Sequence, residues 1–192
     1  MNQKKTILII IIVSAILFFL RKRIEWVIYD LQEYYRVNNS LTWNENKKLK
    51  WSDFKYAPDK NYADNIFASV GVSQRYHIDD KIEFRSRSLF IPEKSFVTDT
   101  LNSLALRIAQ AKFDLCEVYR RKLESQVEKL RKNVNEVTTD TLKGYGEKYN
   151  KQFENQWSDF MNLEQSQVEK GLIDLEKQIK LELKTKHKNT CN

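Results

Sequence analysis

Leu104 to Leu123 reads LALRIAQAKFDLCEVYRRKL, and its periodicity decides the fold class. Leu104, Ile108, Ala111, Leu115 and Val118 recur at helical spacing, and Leu123, Val127 and Leu130 continue the stripe. Apolar residues at intervals of three and four line one face of a helix. The pattern predicts a helix from Thr98 onward to about Val134. Thr98 or Thr100 is the expected N-cap, with Asp99 in the first turn, where a carboxylate meets the positive end of the helix dipole.

Downstream, Thr138 to Thr141 is a second cap-like cluster, and Gly144 and Gly146 are expected to interrupt or delay the helix that follows. Phe153, Trp157 and Phe160 mark its apolar face. A last helix carries Val168, Leu172, Leu175, Ile179 and Leu183 and ends in Lys177, Lys180, Lys184, Lys186 and Lys188. That basic run suits a solvated helix end, or contact with anionic lipid headgroups. Upstream the period changes to two. Ile82, Phe84, Ser86, Ser88 and Phe90 face one way, and Glu83, Arg85, Arg87, Leu89 and Ile91 the other. With the β-prone Ile66 to Ile78 and the turn Asp79-Asp80, this reads as a hairpin ended by Pro92. The expected fold class is α+β: a small antiparallel sheet or hairpin packed on long C-terminal helices. The tetrapeptide WSDF, at Trp51 to Phe54 and again at Trp157 to Phe160, lies in different contexts and is read as coincidence, not a repeat.

The composition agrees. The 192 residues carry a net charge of +7, are 31% charged and 12% aromatic, and include only 4 Gly and 2 Pro. Such a chain is too apolar for wholesale disorder and too poor in turn residues for a β-sandwich. Its two cysteines, Cys116 and Cys191, form no disulfide framework, and Cys116 reads as a small buried residue.

Residues 6–20, TILIIIIVSAILFFL, hold no charge, with Lys4 and Lys5 before them and Arg21, Lys22 and Arg23 directly after. This is the layout of an export signal without a small-residue cleavage site, so an uncleaved anchor is expected. Fifteen helical residues rise roughly 22 Å, short of a ~30 Å hydrocarbon core unless the flanking basic side chains snorkel. Positive charge at both ends leaves orientation open. Ile24 to Val37, with Trp26, Tyr29, Tyr34 and Tyr35, suits either the membrane interface or packing on the domain. Expected divisions are an anchor over 1–23, a juxtamembrane segment over 24–40, a domain over 41–185 and a basic tail over 186–192. The expected setting is the cell membrane, single-pass, with the domain on the exported side.

The order Trp51-Ser-Asp-Phe54, hairpin, Phe90-Ile-Pro-Glu-Lys-Ser-Phe-Val97, then Phe113-Asp-Leu-Cys-Glu-Val-Tyr-Arg-Arg-Lys-Leu123 resembles a bacterial domain family of unknown function. Its members are predicted secreted zinc-dependent proteases with a zincin-like helix. The resemblance spans roughly residues 43–183. The family's helix carries His-Glu-Gln-x-His-Phe-Asp. Gln110, Phe113 and Asp114 match it, whereas Ile108 stands for the first histidine, Ala109 for the general-base glutamate and Lys112 for the second histidine. In a later segment, Glu164 matches and Gln167 replaces a histidine. The resemblance therefore implies a zincin-like remnant with a vestigial site at Ile108, Ala109, Lys112, Asp114 and Gln167.

Chemistry leads the same way. Catalytic zinc takes three protein ligands and a water, and a base activates that water. An aliphatic at 108 and an ammonium at 112 bind no zinc. His77 and His187, the two histidines of the chain, read as surface or packed residues. Asp114 and Glu117 lie three apart. Glu117 has Arg121 at i+4 for a partner, and Asp114, with no cation at i±3 or i±4, needs one from elsewhere in the fold. A metal on those two carboxylates alone would be weak and more like Ca²⁺. There is no Gly-rich phosphate loop, no Cys-x-x-Cys and no aromatic-basic RNA motif. The leading expectation is a non-catalytic module without cofactor or zinc, held to the membrane through residues 6–20. It would bind a peptide or protein, not nucleic acid, in the former substrate cleft beside the hairpin, where a sheet edge can pair with an extended peptide. The alternatives are a hydrolase with a rebuilt site around Asp114, Glu117 and Glu164, and a helical scaffold that dimerises through the Leu104 to Val134 stripe.

Overall fold

The computed structural model describes residues 3–58 and 65–185, without the side chains of 3–12, 17, 19–20 and 22–26. The expected basic tail over 186–192, with His187 and Cys191, lies outside the described residues. The chain divides into two compact units, Met1–Asn38 and Asn39–Asn192. The boundary falls at the Asn38-Asn39-Ser40 turn.

The first unit is one helix, α1 (Gln3–Asn38), which runs without a break through the expected boundary at residue 23. Val13, Ile16, Phe18, Val27, Ile28 and Leu31 are exposed along it. Among the described residues no helix is long and apolar enough to cross a membrane, so the long apolar anchor is not found there. Most of the 6–20 stretch has no described side chains.

The second unit is the expected α+β arrangement. Its main sheet has the order β1-β5-β4, with β1 (Leu41–Thr42), β4 (Val70–Ile78) and β5 (Ile82–Phe90) all antiparallel. The hairpin register pairs Ile78 with Ile82, Tyr76 with Phe84 and Val72 with Ser88. Ile82, Ser88 and Phe90 are buried, while Glu83, Arg85 and Arg87 are exposed, as the alternation requires. At the base, Leu89 is buried although it belongs to the outer set.

A second small sheet, β2-β6-β3, joins β2 (Lys55–Tyr56), β6 (Phe96–Val97) and β3 (Ile66–Phe67). The pairing of β2 with β6 is parallel. Two-residue strands show no period in sequence, so this sheet is invisible there. The buried Ser95 hydroxyl ties it to the hairpin base by accepting from the Ser69 amide (2.9 Å) and donating to the Ile91 carbonyl (2.7 Å).

The central helix α2 (Ser103–Leu130) starts later than expected. Its N-cap is Asn102, whose side-chain oxygen accepts from the Leu104 and Ala105 amides, in place of Thr98 or Thr100. Thr98 instead bonds Asn65 beside β3. A six-residue 3-10 turn, Arg131–Glu136, ends the run. Thr138 then caps α3 (Thr139–Met161). α3 passes unbroken through Gly144 and Gly146, contrary to the expected interruption. At Gly146 the reason is close approach: an added Cβ would sit 2.6 Å from the Gln74 Oε1 of β4. At Gly144 nothing lies within 4 Å. The last helix is α4 (Val168–Thr185).

Three cores surround α2. Ala111, Leu115, Cys116 and Val118 pack with Phe153, Trp157 and Phe160 of α3 and Leu172, Leu175 and Ile179 of α4. Ala105, Ala109 and Phe113 pack with Phe54, Phe90 and Val97. Leu123 and Val127 close over Ile82 and Leu142 at the hairpin tip. The stripe that could have served a coiled coil is thus consumed within the chain. Gly144→Ala should raise stability to urea by about 0.5–1 kcal/mol, the ordinary gain of alanine inside an exposed helix. Gly146→Ala should gain less, because Gln74 must move.

Candidate functional site

Ile108, Ala109 and Lys112, which the resemblance sets against two histidines and a glutamate, lie along α2 and face two cores. Ile108, half-buried, packs against the three-helix core. Ala109 is 2% exposed and belongs to the core under the small sheet. A larger side chain there would need room that the packing does not hold. Lys112 is half-buried, with its ammonium 5.4 Å from the centre of the Phe67 ring and 5.3 Å from that of Trp157. Burial lowers its pKa, and the neighbouring Glu154 opposes that shift. Two ring faces hold the cation through their quadrupoles. Phe67 in turn stacks on Phe96, ring centres 5.2 Å apart. Gln167 is exposed in a 3-10 turn, its amide donating to Glu164 O (2.8 Å), and Glu164 is exposed as well.

The matched residues of the resemblance do a different job. Asp114 Oδ1 accepts from Trp43 Nε1 and from Gln110 Nε2, both at 2.7 Å, and Oδ2 pairs with Lys48 at 3.3 Å. Gln110 Oε1 accepts from the Leu49 amide at 2.8 Å. The two side chains fasten the segment 43–49 along α2 and so place buried Leu49 in its core. Phe113 is buried against the Phe90 ring. The outside partner that the spacing demanded for Asp114 is Lys48. The Trp43 bond carries no sequence signal, since the residues are 71 positions apart.

Glu117 is 2% exposed, and both its oxygens are taken. Arg120 bonds it with Nε (2.7 Å) and Nη2 (2.8 Å), and Arg121 Nε reaches Oε1 at 2.7 Å. Arg121 is the expected partner. Arg120 was missed, although the i+3 spacing could have shown it. Outer contacts complete the network: Arg120 donates to the Ser86 hydroxyl (3.1 Å) and pairs with Glu124, Arg121 donates to the Leu183 carbonyl (2.9 Å), and the Arg121 guanidinium lies over the Trp43 ring. Burial pushes the Glu117 carboxyl up, but the two guanidiniums outweigh it and leave its pKa below the usual value.

Beside Glu117, free Cys116 is buried, and burial pushes its thiol up to about 12. The Ser88 hydroxyl adjoins it and makes no full hydrogen bond. His77, exposed near the end of β4, faces Glu83 across the hairpin. Among the described residues no group of three or more His, Cys, Asp and Glu side chains is placed to hold a metal ion. Asp114, Glu117 and Glu164 occupy separate settings: the first holds the 43–49 segment, the second is sealed by arginines, and the third is exposed in a turn.

No protein-family model, no curated protein and no solved structure matches the chain.

Glu117→Gln should cost about 3 kcal/mol, because it removes the buried charge that pairs two largely buried guanidiniums. Its pH signature has a definite sign. A carboxyl whose folded pKa is lowered adds stability above its ordinary value and loses it as pH falls through the folded value. The wild type should therefore weaken through that acid range more steeply than Glu117→Gln, as measured by urea unfolding across pH.

Proposed function

We propose that the protein is a membrane-anchored, non-catalytic relative of the zincin-like proteases and acts as an interaction module on the exported side of the membrane. The observation that carries this reading is the caged Lys112. At the place of the second histidine, an ammonium fills the space between Phe67 and Trp157. A cation there repels Zn²⁺, and buried Ala109 offers no base for a water. Support for the anchor comes from the uncharged 6–20 stretch with basic flanks and from the apolar side chains exposed along α1.

The partner in this reading is an extended peptide segment. β3 lies at the end of the order β2-β6-β3, so among the described residues one of its edges has no neighbouring strand. Phe67 on that strand is 42% exposed, next to the Lys112 cage. Backbone pairing along such an edge gives affinity, and a flanking aromatic gives selectivity.

Purified full-length protein analysed for metals after dialysis into zinc-containing buffer should hold far less than one zinc per chain, and should not cleave unstructured casein. Zinc at one per chain, or cleavage abolished by Asp114→Ala, would overturn the reading in favour of an enzyme.

A further inference from the structure

The outer face of the hairpin carries two exposed arginines, Arg85 and Arg87. Arg75 and Arg85 stand directly opposite in the register, and Arg87 follows two residues along the same strand, on the same face. Arg85 and Arg87 are exposed and make no hydrogen bond or ion pair among the described residues. Toward the tip, Arg85 also lines a groove of about 430 Å³ with Lys81, Arg131 and Glu83 over Ile82 and Phe84. Lys81 neutralises Glu83 there at 2.9 Å. Arg131 is paired with Glu128, and Asp79 and Asp80 lie at the turn beside Lys81, so the positive charge that stands over is that of Arg85 and Arg87.

We propose that this face, through Arg85 and Arg87, docks the domain flat against an anionic phospholipid surface. A row of guanidiniums on a pleated sheet is a planar array, and a headgroup layer is a planar array of phosphates. Arginine binds phosphate oxygens bidentately, and each basic residue at such a surface adds to the attraction. The choice of lipid over an acidic protein rests on the membrane-anchored reading above, because the same chain carries the uncharged 6–20 stretch. Attraction at the face would hold the domain close to the bilayer and limit which partners reach it.

The test uses residues 39–192, which form a compact unit with all three cores and lack the apolar stretch. Flotation compares vesicles of phosphatidylcholine with vesicles containing about one-third phosphatidylserine. The domain should float with the anionic vesicles alone, less so as salt rises and screening shortens. Arg85→Glu with Arg87→Glu should weaken partitioning by about tenfold or more, and Lys148→Glu with Lys151→Glu on α3 by less than about twofold. Should the first pair fail to fold by circular dichroism, Arg85→Gln with Arg87→Gln replaces it and should still weaken binding. No flotation with anionic vesicles, equal loss in both pairs, or arginine-dependent binding to duplex DNA without vesicle binding would overturn the proposal. Alkaline extraction of the full chain from membranes tests the anchor separately. Release of the chain while the domain still floats removes the anchor and leaves the arginine face standing.

Discussion

A helix that is enclosed on most of its circumference governs this structure. Of the side chains on α2, ten are buried between Ala105 and Val127; nine belong to three separate cores, and the tenth is Glu117. Each polar group on such a helix must then find its partner within the fold or carry the desolvation cost. Glu117 meets that demand with two arginines one turn further along, and Asp114 meets it with a tryptophan, a lysine and a glutamine. The remaining elements take positions that satisfy these groups. The segment 43–49 lies where Gln110 and Asp114 can bond it, and the end of α4 lies where Arg121 reaches the Leu183 carbonyl.

The same enclosure divides the α2 residues that the zincin-like resemblance singles out into two groups. The matched residues, Gln110, Phe113 and Asp114, are those that fasten neighbouring chain to the helix. The unmatched ones, Ile108, Ala109 and Lys112, are those that fill space. An aliphatic, a methyl and an aromatic-caged ammonium at these three positions serve packing. Dispersion and cation–π contacts then do the holding, and neither requires a metal.

What sequence could tell was set by the length over which a pattern repeats. The β4–β5 hairpin shows nine-residue alternation, and α2 shows a stripe sustained over seven turns or so; both emerged at about the expected places. The lack of a cation near Asp114 along its own helix correctly required one from afar. Features fixed by a single tertiary contact stayed hidden. Asn102 rather than Thr98 caps α2, because Thr98 is engaged with Asn65. Gly146 does not break α3, because it lets Gln74 come close. The two-residue strands around Ser95 exist only through their neighbours. The Trp43 to Asp114 bond joins a loop to a helix across most of the domain's first half, and neither end announces it.

Cys116 gives the molecule an internal clock. Its thiol lies inside the three-helix core, and burial holds it in the protonated, unreactive form at neutral pH. A thiol reagent can reach it only when the elements packed around it, helices and hairpin alike, part. The labelling rate therefore counts openings of the core itself, with no engineered probe.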